Sequence, residues 1–328
     1  ITNFVTAVKT AYWNHTPLLL VTPQAANKTI GMGGFQEVEQ MALFQDMVAY
    51  QEEVRDPSRV AEVLNRCILN AKRMSAPAQI NMPRDYWTQV IDIELPAMVE
   101  FERPSGGEAA IAAAAELLSG ARFPVILNGA GVVLSGAIPA SMALAERLDA
   151  PVCVGYQHND AFPGSHPLFA GPLGYNGSKA AMELISGADV VLCLGTRLNP
   201  FSTLPGYALD YWPKTAKIIQ VDINPDRIGL TKKVTVGIVG DAKKVAEAVL
   251  ARLASTAGDH ARMERKAHIA QVKSAWAQKL SSMDHEEDDP GTSWNERARK
   301  AKPDWMSPRM AWRAIQSALP KEAIISSD

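Results

Sequence analysis

Between residues 105 and 253, short apolar runs alternate with stretches of helical spacing, and this pattern leaves few folds open. The runs are VILN at 125–128, VCVG at 152–155, VVLCLG at 190–195, IIQVDI at 218–223 and VTVGIV at 234–239. Each is too short for an ordinary helix and almost wholly apolar, as a strand covered on both faces must be. Helical patterns occupy 108–120, 138–148 and 179–186, and a last one follows Asp241, a good N-cap. Ser105 and Glu108 have the spacing of a capping box. Strands joined through helices run parallel, so residues 105–253 predict one doubly wound α/β domain.

The same alternation begins earlier and is incomplete there. Thr2 or Asn3 can cap a helix whose apolar face is Phe4, Val8, Ala11 and Tyr12. LLLV at 18–21 reads as a strand buried on both faces, residues 38–47 as a helix and 48–54 as extended. Asp56-Pro57 starts a further helix with the stripe Val63, Cys67 and Ala71, and AQINM at 78–82 closes the set as a strand. Residues 1–95 thus predict the back half of a parallel-sheet domain. After Leu253 the character changes, and 254–303 reads as a linker with one amphipathic helix on Ile269, Val272 and Trp276. Its acidic run from Asp284 to Asp289 reads as a solvated connector. Residues 304–328 open another domain, with a helix striped by Trp312, Ile315 and Leu319 and then a final AIISSD strand with nothing after it to pack on. Both ends read as cut through domains, the middle of a longer protein.

Charge and cysteine usage exclude several partner classes. Thirty-three basic against 35 acidic residues give a net charge of −2, which offers nothing to nucleic acid or an anionic membrane. No apolar run approaches the roughly 20 residues needed to cross a bilayer. Cys67, Cys153 and Cys193 lie far apart in apolar segments, which predicts buried thiols in a reducing, cytoplasmic setting. GxxxxGK[ST], GxSxG and HExxH are all missing from the sequence, so hard chemistry would fall to a cofactor.

The stretch TPLLLVTPQAANKTIGMGGFQE at 16–37 is the leading candidate for a ligand crevice. Its strand ends at Pro23-Gln24, and in parallel sheets ligands sit beyond the carboxyl ends of strands. Gly31, Gly33 and Gly34 then let backbone approach a ligand or turn tightly, and Phe35, Gln36 and Glu37 supply a ring, an amide and a carboxylate. A second, weaker candidate is Gly129-Ala130-Gly131 after the 125–128 run, with Asp222 at a strand end where a ribose could be held. Leu134 stands where a dinucleotide fingerprint needs its third glycine.

These motifs, in this order, resemble the thiamine-diphosphate enzymes of the acetolactate synthase type. TPLLLVTPQ is similar to the family's strand leading to a cofactor-facing glutamine, and Gly34-Phe35-Gln36-Glu37 to its A-F-Q-E loop. AFPGSHP at 161–167 and IVGDA at 238–242 resemble its middle domain, and Met306-Ser307-Pro308 with ISSD at 325–328 the opening of its diphosphate-binding domain. GMGGFQE at 31–37, YQHND at 156–160 and NPFS at 199–202 look more like its sulfoacetaldehyde acetyltransferase branch.

The resemblance implies three α/β domains cut at both ends. Residues 1–95 would belong to the pyrimidine-binding domain, 105–253 to the central one and 304–328 to the diphosphate-binding one. It also implies thiamine diphosphate with Mg2+, sulfoacetaldehyde and phosphate as substrates, acetyl phosphate and sulfite as products, and a homodimer or homotetramer. Asn3 and Gln24 would touch the cofactor's aminopyrimidine, and Phe35 and Gln36 would line the substrate side. The activating glutamate would precede Ile1 and the magnesium-diphosphate element would follow Asp328, so the segment alone would not turn over. The incomplete glycine run at 129–131 counts against FAD. An acetolactate synthase-like carboligase and a non-catalytic nucleotide-binding module remain the alternatives.

Overall fold

The computed structural model describes residues 1–35, 37–253, 259–282, 308–320, 323 and 325. Two parallel sheets organise it. The first unit runs through α1 (Val5–Trp13), β1 (Leu18–Gln24), α2 (Gln40–Phe44), β2 (Tyr50–Glu53), α3 (Val60–Met74) and β3 (Pro77–Pro83). Its strand order is β1-β3-β2, with both pairings parallel. Asp56 begins the turn into α3, its carboxylate accepting the Ser58 amide at 2.9 Å with Pro57 at the first position. The stripe Val63, Cys67 and Ala71 then packs on Val54, Ala78 and Ile80. On the opposite face α1 and α2 bring Val8 and Phe44 over Leu20. β3, in the centre, is the strand covered on both faces. β1, an edge strand of the described sheet, is not: Leu20, Thr22 and Gln24 are buried on one face, whereas Val21 and Pro23 on the other are exposed.

A row of polar side chains crosses this sheet near its carboxyl end. Thr22 Oγ1 donates to Asn81 Oδ1 at 2.8 Å, Gln79 Nε2 to Thr22 Oγ1 at 3.0 Å, and Asn81 Nδ2 to Glu53 Oε2 at 2.7 Å. Thr22, Gln79 and Asn81 are wholly buried. Buried polar groups hold position when they satisfy one another, and here the row ties all three strands at the end where β1 delivers Gln24.

The larger unit contains α4 (Glu108–Ser119), β4 (Pro124–Asn128), α5 (Ala130–Leu134), α6 (Ile138–Leu148), β5 (Val152–Gly155), β6 (Phe169–Leu173), α7 (Lys179–Ser186), β7 (Val190–Leu194), β8 (Lys217–Asp222), β9 (Val236–Val239) and α8 (Ala242–Arg252). Its six strands lie in the order β6-β5-β4-β7-β8-β9, all parallel. The chain builds outward from β4 in one direction and from β7 in the other, so the crevice of a doubly wound sheet opens between those two strands. β6 (FAGPL) escapes the apolar-run reading because Gly171 and Pro172 resemble a turn; an edge strand tolerates both. Asp241 caps α8 as expected, accepting the Lys243 and Lys244 amides at 3.0 and 3.2 Å. The capping box at Ser105 does not form. Gly107 takes the N-cap position, and Ser105 is drawn into a bridge with Gly240.

The three cysteines are buried and free. α9 (Asp259–Ser282) places Ile269 in the larger core, and Arg265 reaches back to the Leu148 carbonyl and, at 2.8 Å, to that of Arg122. α10 (Pro308–Ala318) leaves Trp312 and Ile315 about half exposed. The acidic run at 284–289 and residues 326–328 lie outside the described residues.

Candidate functional site

β1 carries its chain out of the first sheet at Gln24, which is 6% exposed. Gln24 Oε1 accepts the Ala25 amide at 2.8 Å, so its oxygen is occupied and the NH2 end is the donor it can offer a ligand. The loop that follows is anchored at both ends: Asn27 donates its amide to Asp85 Oδ1 at 3.1 Å, and Gln40 Nε2 donates to the Pro23 carbonyl at 2.5 Å. Between these anchors Gly31 and Gly33 adopt left-handed backbone, with φ of +85° and +69°. The Glu37 carboxylate accepts the amides of Gly31 at 2.6 Å and Gly34 at 3.2 Å. Glu37 is therefore the internal brace of the glycine loop rather than a group facing a ligand. Phe35, next to it, is 94% exposed.

Of the four site residues expected from sequence three are described, and among these Gln24 alone is buried. Asn3 lies exposed in the first turn, Phe35 stands out from the loop, and Gln36 lies outside the described residues. The described residues do not draw these side chains into one closed pocket. Nor do they include any group of three or more His, Cys, Asp or Glu able to hold a metal ion.

The larger unit has its own crevice, at the ends of β4, β7 and β8. The Gly129 amide donates to the Leu194 carbonyl at 3.0 Å and the Gly131 amide to the Gly195 carbonyl at 2.9 Å. A Cβ at Gly131 would lie 2.6 Å from Gly195 Cα. These glycines allow two backbones to touch, and the amides a pyrophosphate would need from them are already taken. Asp222, at the end of β8, is 4% exposed, with Oδ1 accepting the Asn224 amide at 2.9 Å. Burial pushes its carboxyl up to about 6, against the pull of Arg227 and Arg197. Gly174 is likewise structural, its φ of +79° bringing it against the Phe201 carbonyl. His166 pins its own loop: Nδ1 accepts the Leu168 amide at 3.1 Å, and Nε2 meets Glu146 at 3.2 Å.

This crevice faces the first unit, where Trp13 and His15 complete its wall opposite Gly195, Arg197 and Asp222. About 990 Å³ of space, partly open to solvent, lies between the two units. Sequence patterns pointed to Asp222 but did not bring Trp13, His15 and Arg227 to the same place. The one local sign was a histidine directly after a helix end, where glycine is usual.

Residues 111–249 match the family model for the central domain of thiamine pyrophosphate enzymes. The sulfoacetaldehyde acetyltransferase of Roseovarius nubinhibens is 83% identical over 328 residues, covering all of this chain and 54% of that protein. The sulfoacetaldehyde acetyltransferase of Rhodobacter capsulatus is 75% identical, again over all of this chain and 56% of its own length. An acetolactate synthase of Arthrospira platensis is 30% identical over 76% of this chain. The chain spans about half the length of the curated relatives it matches. Among solved structures, benzoylformate decarboxylase from Polynucleobacter necessarius superposes with a TM-score of 0.68 at 24% identity, covering 78% of this chain and 48% of that one. Residues 111–249 thus carry the central domain of thiamine pyrophosphate enzymes, and the chain as a whole is similar from end to end to the sulfoacetaldehyde acetyltransferases.

Proposed function

We propose that this chain forms part of a sulfoacetaldehyde acetyltransferase, which converts sulfoacetaldehyde and phosphate to acetyl phosphate and sulfite. The observation that carries the reading is identity of 83% to such an enzyme across all 328 residues, against 30% to an acetolactate synthase over 76% of the chain. Thiamine diphosphate would supply a ring able to stabilise a carbanion at the former carbonyl carbon attached to it. The residues present suit the pyrimidine side of that cofactor. Gln24, buried at a strand end with its oxygen already engaged, offers an amide NH2 to a ring nitrogen, and Asn3 lies at the start of the same unit. Phe35 and Gln36 would line the substrate side, the exposed ring of Phe35 gaining cover from bound ligand or from a neighbouring subunit. Mg2+ would be held by residues other than those described.

In this reading residues 1–95 belong to the pyrimidine-binding domain, 105–253 to the central domain, 254–303 to a connector and 304–328 to the diphosphate-binding domain. The assembly is a cytoplasmic homodimer or homotetramer whose cofactor sites form between subunits. The test is to assay the uninterrupted gene product with and without thiamine diphosphate and Mg2+. Sulfite and acetyl phosphate should appear together, in equal amounts, only when cofactor is present; acetolactate from pyruvate in place of sulfite would refute the assignment. Gln24→Ala should raise the concentration of thiamine diphosphate needed for half-maximal activity roughly fivefold, about 1 kcal/mol for one lost hydrogen bond.

A further inference from the structure

Two guanidinium groups that form no ion pair among the described residues lie over the ring of Trp13, which lines the cleft between the two units. Arg197 lies on the cleft wall, and Arg227, in the loop after β8, is only 7% exposed. Among the described residues neither side chain makes a hydrogen bond or ion pair, and Arg227 Nε is buried without a partner. What both share is the indole of Trp13, whose ring centre lies 4.2 Å from the Arg227 guanidinium carbon and 4.8 Å from that of Arg197. A ring face attracts a cation but does not neutralise it. Asp222 is the nearby carboxylate; raised by burial to about 6, it is ionised at neutral pH and offsets one of the two charges without bonding to either arginine.

The two arginines are fixed relative to each other by a buried amide. Gln220 Nε2 donates to the carbonyls of Thr196 and Arg227, each at 3.1 Å, stitching the two arginine loops together. Thr231 Oγ1 adds a bond to the Leu198 carbonyl at 2.8 Å. From the first unit comes His15, whose Nε2 is also buried without a partner. His15 sits at the helix-ending position with φ of +54°, a left-handed conformation that glycine adopts more cheaply. Its imidazole is held neutral, with the pKa lowered to about 4 by burial and then by Arg227 and Arg197. A neutral ring can still donate through Nε2–H.

We propose that Arg197, Arg227 and His15 form a binding site for a small tetrahedral oxyanion, phosphate or an organosulfonate, in the cleft between the first unit and the central domain. The site is separate from the crevice beyond Gln24 and does not depend on the acetyltransferase reading. A dinucleotide is a poorer occupant, because the amides of Gly129 and Gly131 are consumed by β7 and the loop after it. With Asp222 offsetting one charge, the anion would supply the second counter-charge and would bridge the two units through residues of each.

Titration calorimetry of the uninterrupted gene product with inorganic phosphate, isethionate and ADP, at ionic strength fixed with sodium chloride, tests the assignment. One saturable site for phosphate or isethionate is expected, and whichever binds tighter identifies the source. Arg197→Met and Arg227→Met should each weaken it at least tenfold, while Arg55→Met, on the far loop after β2, should leave it unchanged. Arg197 is only partly buried, so Arg197→Met decides the matter alone if Arg227→Met does not fold. Absence of saturable binding, equal binding by both arginine variants and wild type, or tenfold tighter binding of ADP than of phosphate would each overturn the proposal.

Discussion

His15 and Asp222 line one cleft and respond to pH in opposite senses. His15 titrates near 4 in the folded chain against 6.5 when free, so between those values the unfolded state binds the extra proton. Its contribution to stability is complete above pH 6.5 and is lost as pH falls towards 4, at most about 3 kcal/mol. Asp222 is the reverse: raised to about 6 from 3.8, it keeps its proton in the folded state. Its contribution is complete below pH 3.8 and is lost as pH rises through 6, again at most about 3 kcal/mol. The two windows overlap and the slopes largely cancel. Asp222→Asn, which keeps the acceptor for Asn224, should therefore steepen the rise in stability from pH 4 to 6.5, whereas His15→Gln should make stability fall over the same range. Urea midpoints at pH 4, 5 and 6.5 measure this, and parallel profiles for wild type and both variants would contradict it.

At the level of elements, the contact between α5 and the end of β7 is the least forgiving. Gly131→Ala would place a methyl 2.6 Å from Gly195 Cα, against backbone that cannot rotate away. A loss of about 2–3 kcal/mol is expected, seen as a lower urea midpoint at constant m-value. Elements with wholly local causes were legible in the sequence: the buried runs of β4, β5, β7 and β8, and the caps at Asp56 and Asp241. Those depending on a distant neighbour were not. β1 reads as doubly covered because its residues are apolar, yet its burial depends on what packs over each face, and only one face is well covered. Ser105 has a capping spacing but pairs with Gly240, 135 positions away. The candidate site divides the same way. Gln24 could be placed from its strand, whereas the meeting of Trp13 with Arg197 and Arg227 is created only by docking one unit on the other.

On the scale of the whole molecule, stability is unevenly shared. Among the described residues the central core contains 44 buried apolar side chains, and the first unit has two small clusters of six and four. A unit that buries so little is marginal by itself and gains from every contact with its neighbour. Trp13, at the end of α1, is such a contact, reaching two arginines of the central domain. Each cation–π pair contributes about 0.5–2 kcal/mol, and for a unit of fewer than 100 residues each kcal/mol is worth about 4–8 °C. Trp13→Ala should therefore lower the melting of the first unit by about 5–10 °C while leaving the central transition in place. Hydrogen exchange should report the same split, with amides of β1–β3 losing protection before those of β4 and β7. Trp276→Ala provides the opposite case, because its ring packs on Tyr207 within the larger unit, 5.2 Å between centres, and should move the upper transition. If Trp13→Ala shifts both transitions equally, the chain melts as one cooperative body and the arginine–tryptophan contact is not what joins its parts.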